Sequence, residues 1–149
     1  KFDKHNRIEI LKPNNIDISK FYIESHLFIL SSKWEGTSNA LLEAMSFGIP
    51  TVTMDTPWTA SRKEIIEDGK TGFVIDVPQE LEKEKIGKVE CRVINELVKT
   101  TSSLIENKKL LKKMSKNCIK EVRDGKFSLK ERNKKLKRIY EETFINQKN

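Results

Sequence analysis

Residues 27–54 read LFILSSKWEGTSNALLEAMSFGIPTVTM and hold a complete strand, loop, helix, strand passage. Leu27, Phe28, Ile29 and Leu30 form a continuous apolar run of strand length, closed by Ser31 and Ser32, the pattern of a strand covered on both faces. A loop over 32–39 follows. From Ser38 or Asn39 to about Phe47 the spacing is helical, with Thr37 or Ser38 as the natural N-cap. Gly48 is the left-handed residue that ends the helix, and Pro50 enforces the stop. Residues 51–54 are β-branched enough to be a second strand. One helix position is out of character: Glu43 stands among Leu41, Leu42, Ala44 and Met45. A buried, unpartnered carboxylate costs roughly several kcal/mol or gives up its charge, so Glu43 asks for a partner.

The alternation extends in both directions. Upstream, residues 8–11 form an extended run stopped by Lys12, Pro13, Asn14 and Asn15, and Asp17 offers an N-cap to a short helix reaching Glu24. Downstream, Pro57, Trp58 and Thr59 lie in a loop before a helix over 61–67. A tight turn over 68–72, containing Gly69 and Gly72, leads into a third buried strand at Phe73, Val74 and Ile75. Strand and helix in alternation predict an α/β fold, a Rossmann-like parallel sheet with flanking helices. Beyond residue 78 the strand signals cease. Residues 80–88 read as a surface loop or frayed helix, followed by three amphipathic helices. Their stripes (Val93, Ile94, Leu97, Val98, Leu104 and Ile105; then Leu110, Leu111, Met114, Cys118, Ile119 and Val122; then Leu129, Leu136, Ile139, Tyr140 and Phe144) read as core. The 149 residues make one domain, alternating over 1–77 and helical over 78–149.

Charge is distributed unevenly. Residues 103–149 carry 15 Lys or Arg against 6 Asp or Glu, whereas residues 1–102 carry 14 against 16, so the net +7 is entirely C-terminal. A solvated helix face accounts for this, with an anionic membrane surface as the alternative. Nucleic acid is disfavoured because no aromatics interleave with the basic residues. Cys91 and Cys118 lack the spacing of a zinc site or a disulfide framework and read as reduced, half-buried thiols. His5 and His26 have no ligand or nucleophile set around them. With no membrane-length apolar run and no signal-peptide segment, the expected location is cytoplasmic, with peripheral contact at the inner membrane face as an addition.

In an open parallel sheet, ligands bind outside the carboxyl ends of the strands, where loops feed helix N-termini. The loop carrying Glu35, Gly36, Thr37, Ser38 and Asn39 is placed there. Its glycine permits close backbone approach, and the helix start after it favours an anion such as a diphosphate. Glu43, little more than one turn in, could accept both hydroxyls of a ribose. The plainer reading is that acidic residues suit early helical turns and that Glu43 snorkels between its neighbours.

SSKWEGTSNALLEAMSFGIPTV, followed by KEIIEDGKTGFVIDV, closely resembles the retaining glycosyltransferases of the group 1 (family 4) type, whose GT-B architecture has two facing Rossmann-like halves. The similarity covers about residues 8–145. It implies the C-terminal, donor-binding part of such an enzyme: a nucleotide-sugar donor, transfer of a hexose with retention to the hydroxyl of a glycan or lipid-linked acceptor held by an N-terminal half absent from this sequence, and neither metal nor cofactor. By that resemblance Glu43 binds the ribose, Glu35 contacts the donor sugar as the catalytic residue, and the backbone of Gly36, Thr37, Ser38 and Asn39 holds the sugar and β-phosphate. The Arg and Lys that grip the diphosphate in the family lie upstream of this loop and have no assignable counterpart; Arg62 or Lys63 is a candidate to approach the phosphates, with a surface role as the alternative, and Glu64 is expected to brace the loop. The EGTSN wording suggests surface-glycan or polysaccharide biosynthesis. The alternative is a non-catalytic accessory module that binds nucleotide, or a partner through its basic helices.

Overall fold

The computed structural model describes residues 17–36, 38–56, 62–77 and 86–146. Helix α1 (Ser19–Glu24) leads into β1 (Phe28–Leu30), α2 (Asn39–Ser46), β2 (Thr51–Asp55), the short α3 (Arg62–Ile65) and β3 (Gly72–Asp76). Three helices complete the chain: α4 (Ile86–Glu106), α5 (Lys108–Arg123) and α6 (Leu129–Asn146). The expected strand at 8–11, the loop at 57–59 and most of the segment at 80–88 lie outside the described residues.

The three strands are parallel in the order β1-β2-β3, with Ile29 level with Val52 and Val52 level with Phe73. Alternation along each strand sorts the side chains into two cores. Phe28, Leu30 and Val74 face one side and pack with Leu41 and Met45 of α2, Ile65 and Ile66, and Cys118 of α5. Val52, Phe73 and Ile75 face the other side and pack with Leu97 and Leu104 of α4 and Met114 of α5. Helix α5 therefore reaches both cores. It crosses beneath the amino ends of the strands, where Asn117 Nδ2 donates to the Lys70 carbonyl and Cys118 Sγ to that of Thr71.

Two glycines have physical duties. Gly48 takes φ 73°, and the N–H groups of Gly48 and Ile49 return to the carbonyls of Met45 and Ala44, a Schellman stop that turns α2 into β2. A Cβ on Gly48 would also meet Ile119 of α5 at 2.9 Å. Gly72 belongs to the first pair of β3 rather than only to a turn: a Cβ there would lie 2.1 Å from the Thr51 carbonyl oxygen.

Some stripe residues do not join the core. Ile94, Val98 and Ile105 of α4 are exposed, as are Leu129, Leu136, Ile139, Tyr140 and Phe144 of α6. Periodicity identifies a face that would gain from cover, but the three-strand sheet offers its faces to α2, α4 and α5. The thiols also differ from expectation: Cys91 is exposed and Cys118 fully buried, both free. Burial pushes the Cys118 thiol up to about 12.

Two measurements check this packing. Gly72→Ala should lower stability by about 3 kcal/mol or more in urea unfolding, because backbone must move, whereas Gly36→Ala should stay within about 0.5 kcal/mol, since among the described residues nothing beyond its chain neighbours lies within 4 Å of the site of its Cβ. A thiol reagent should modify Cys91 in the native chain and reach Cys118 only on unfolding.

Candidate functional site

The loop leaving β1 is fixed from an unexpected direction. Arg62, at the start of α3, is only 1% exposed. Its guanidinium donates to the Ser32 carbonyl at 2.7 Å, to Ser32 Oγ at 3.0 Å and to the carbonyl of Met54. One side chain thus ties the carboxyl ends of β1 and β2. Burial lowers the Arg62 pKa from its ordinary value, opposed by the charges of Glu35 and Asp55, and a guanidinium remains a cation at neutral pH. The surface role drawn from the sequence as an alternative for Arg62 is therefore corrected: the side chain points inward and organises the loop.

Glu35 is the acidic end of this assembly. Ser32 Oγ donates to Glu35 Oε1 at 2.6 Å, while Glu35 Oε2 sits 3.9 Å from the Arg62 guanidinium. That second oxygen is buried and makes no hydrogen bond among the described residues, as is also true of Arg62 Nε. An acceptor left without a hydrogen bond there costs free energy, offset in part by the neighbouring charge of Arg62. Lys63 remains on the surface, pairing with Asp55 and Asp76 at the carboxyl ends of β2 and β3. Its pKa is raised, chiefly by the hydrogen bond to Asp55 and then by that to Asp76. The Glu64 side chain is exposed, and its backbone carbonyl accepts from Lys126.

Glu43 is exposed rather than buried. Its backbone lies among core residues, but successive helical positions turn 100° apart, and the carboxylate emerges beside α1. There Tyr22 donates its hydroxyl to Glu43 Oε2 at 3.1 Å. Tyr22 stacks on Phe47 and meets Phe28 edge-on, so its ring is fixed by the core while its hydroxyl fixes Glu43. No local pattern points to this partner, which stands 21 residues upstream.

Of the remaining loop positions, Thr37 lies outside the described residues. Ser38 is the N-cap of α2 and is buried, and Asn39 opens the helix and is exposed. Ser38 makes no side-chain capping bond, leaving the first-turn N–H groups of α2 without that partner. Glu35 and Glu43 stand on the loop and on the helix it feeds, each with its own partners. Two clefts elsewhere involve neither glutamate: one of about 410 Å³ between β3 and α4, and one of about 780 Å³ at the amino ends of the strands. Among the described residues no group of His, Cys, Asp or Glu is arranged to hold a metal ion, and no helix is long and apolar enough to cross a membrane.

The sequence profile described as "Glycosyl transferases group 1" matches residues 2–121. The chain is 29% identical over 130 residues to the UDP-Gal:alpha-D-GlcNAc-diphosphoundecaprenol alpha-1,3-galactosyltransferase of Escherichia coli, covering 87% of this chain and 29% of that protein. It is 30% identical over 103 residues to an uncharacterized glycosyltransferase of Haemophilus influenzae, 69% of this chain and 25% of the relative. An uncharacterized 41.2 kDa protein in the cps region of Klebsiella pneumoniae is 26% identical over 76 residues, 51% of this chain and 20% of its own. The chain spans less than a third of the length of each of these relatives.

The Tyr22–Glu43 contact predicts a pH effect with a definite sign. Burial, and then the hydrogen bond to Glu43, hold the Tyr22 phenol at about 12, above its ordinary 10.0. The folded chain keeps this proton after the unfolded chain has lost it, so the contribution is intact below pH 10 and is lost between about 10 and 12. Tyr22→Phe should remove that part of the alkaline loss of stability, measured as the difference between urea midpoints of the two proteins across this range.

Proposed function

Because this chain belongs to the group 1 glycosyltransferases, we propose that it is the donor-binding part of an enzyme that transfers a hexose from a nucleotide-sugar to an acceptor hydroxyl with retention. Surface-glycan or polysaccharide assembly is the proposed setting. The names of two relatives support it: one uses UDP-galactose on a diphosphoundecaprenol-linked sugar, and one comes from a cps region.

The observation that carries the reading is Glu35, held by Ser32 and Arg62 on the loop after β1 with one buried oxygen unpaired, immediately before the uncapped start of α2. The Glu35 side chain is 25% exposed, and its carboxylate keeps acceptor capacity beyond the bond from Ser32, which suits a sugar hydroxyl. The open space at Gly36 lets a pyranose ring approach the backbone. The first-turn N–H groups of α2 then face the β-phosphate, and their fixed partial positive charge interacts more strongly with the diphosphate as the anomeric carbon–oxygen bond breaks and negative charge collects on it. The acceptor oxygen forms the new bond at the anomeric carbon on the face the diphosphate leaves, and the acceptor's proton passes to the departing diphosphate oxygen. Glu43, oriented by Tyr22, accepts hydrogen bonds from the ribose. The reaction as proposed needs no metal. The acceptor is a glycan or lipid-linked sugar held by a further half of the enzyme.

The test is ligand-observed NMR against a panel of nucleotide-sugars that includes UDP-galactose. At least one should bind. Hydrogen bonds to a charged group are worth about 1.5–3 kcal/mol, so Glu43→Ala should weaken that binding roughly ten- to a hundredfold. Glu43→Gln retains an acceptor for Tyr22 and should lose most of the same affinity. Unchanged affinity in both variants would contradict the ribose assignment.

A further inference from the structure

The end of the molecule opposite the Glu35 loop carries a second feature. A cleft of about 780 Å³ opens at the amino edge of the sheet. Residues 25–27 on its wall immediately precede β1, and Phe47 and Gly48 precede β2, so it is separated from the loop by the length of the strands. Leu27, Phe47, Ile105 and Leu111 give it an apolar lining, and Lys108 and Lys112 set two cations on its rim.

Those two lysines belong to a larger array. Helix α5 carries Lys108, Lys109, Lys112, Lys113, Lys116 and Lys120, with no acidic residue from 108 to 120. At 3.6 residues per turn all six fall within an arc of about 140°. Leu110, Met114 and Cys118 occupy the opposite side, turned into the cores beneath the sheet. All six lysines are exposed, and among the described residues none pairs with a carboxylate. A protein in neutral solution gains nothing from concentrating like charge on one face, since the repulsion is unfavourable. A flat anionic surface removes that penalty, and the adjacent cleft, apolar inside and cationic at its rim, matches an amphiphile with a phosphate head and hydrocarbon chains.

We propose that the lysine face of α5 and the cleft beside it form a docking surface for an anionic phospholipid bilayer, seating the domain by its amino edge with the Glu35 loop directed away from the lipid. Attraction of Lys108, Lys109, Lys112, Lys113, Lys116 and Lys120 to the headgroups supplies the binding, and the cleft takes in one lipid at a time. This docking is independent of the transfer reaction proposed above.

The experiment is co-sedimentation of the chain with vesicles of phosphatidylcholine alone and of phosphatidylcholine mixed with phosphatidylglycerol. Binding should require the anionic lipid and fall steeply with added salt. A lysine near an anionic surface strengthens binding about fivefold, so the double variant Lys108→Gln, Lys112→Gln should bind about thirtyfold more weakly. The control, Lys134→Gln with Lys137→Gln on α6, removes the same charge elsewhere and should change binding less than threefold. Absence of binding to the anionic vesicles overturns the proposal, and so does an equal loss in the control, which would mean unspecific attraction to a basic protein. Tighter binding to single-stranded RNA than to the anionic vesicles at the same salt also overturns it, assigning the face to nucleic acid.

Discussion

The guanidinium of Arg62 is the point on which the carboxyl edge depends. A parallel sheet leaves its carboxyl ends as separate chain exits, each feeding a loop with its own conformational freedom. Arg62 gathers two of them by donating to the carbonyls of Ser32 and Met54. Burying a cation is costly, and here the cost is offset by carbonyl dipoles, a hydroxyl and the nearby charge of Glu35. The arrangement works in both directions. Glu35 helps retain the cation in the interior, and the cation with Ser32 holds Glu35 on the loop, so the carboxylate proposed to meet the donor sugar is positioned by the same contacts that tie the strand ends.

The rest of the chain follows the polarity of the strands. At their carboxyl ends stand Glu35, the open space beside Gly36 and the start of α2. At their amino ends the helix stops and the turn of Thr71 rest on α5, whose buried side reaches both cores through Met114 and Cys118. Tyr22 connects the two regimes. Its ring packs with Phe28 and Phe47, while its hydroxyl reaches upward to Glu43 on the second turn of α2. A change in core packing beneath α1 is therefore transmitted to the carboxylate proposed to hold ribose.

What was legible in the sequence was local. The bounds of α2 could be read because Gly48 and Pro50 each have a backbone reason to stand where they do and Ser38 holds the N-cap position, though without a capping bond, and the strands because short apolar or β-branched runs are bounded by breakers. Illegible features involve partners distant in sequence. Arg62 meets Ser32 across 30 positions and bonds mainly to backbone carbonyls, which carry no residue signature. Tyr22 meets Glu43 across 21 positions, so the sequence presented a carboxylate among apolar neighbours without showing that it emerges into solvent beside a phenol. The stripe on α6 marks a different limit. Periodicity shows that Leu129, Leu136, Ile139 and Phe144 share a face but cannot show whether anything covers it, and in the structure they are exposed.

A nucleotide-sugar diphosphate is proposed to bind at the carboxyl edge, across the Glu35 loop and the first turns of α2. Backbone amide chemical-shift mapping of the isotopically labelled chain, titrated with UDP-galactose, tests it most directly. The largest shifts should fall at Glu35, Gly36, Ser38, Asn39 and Ala40, with a smaller response at Tyr22 through Glu43. Saturable shifts confined to the cleft at the amino edge, around His26 and Leu111, with the Glu35 loop unmoved, would contradict it.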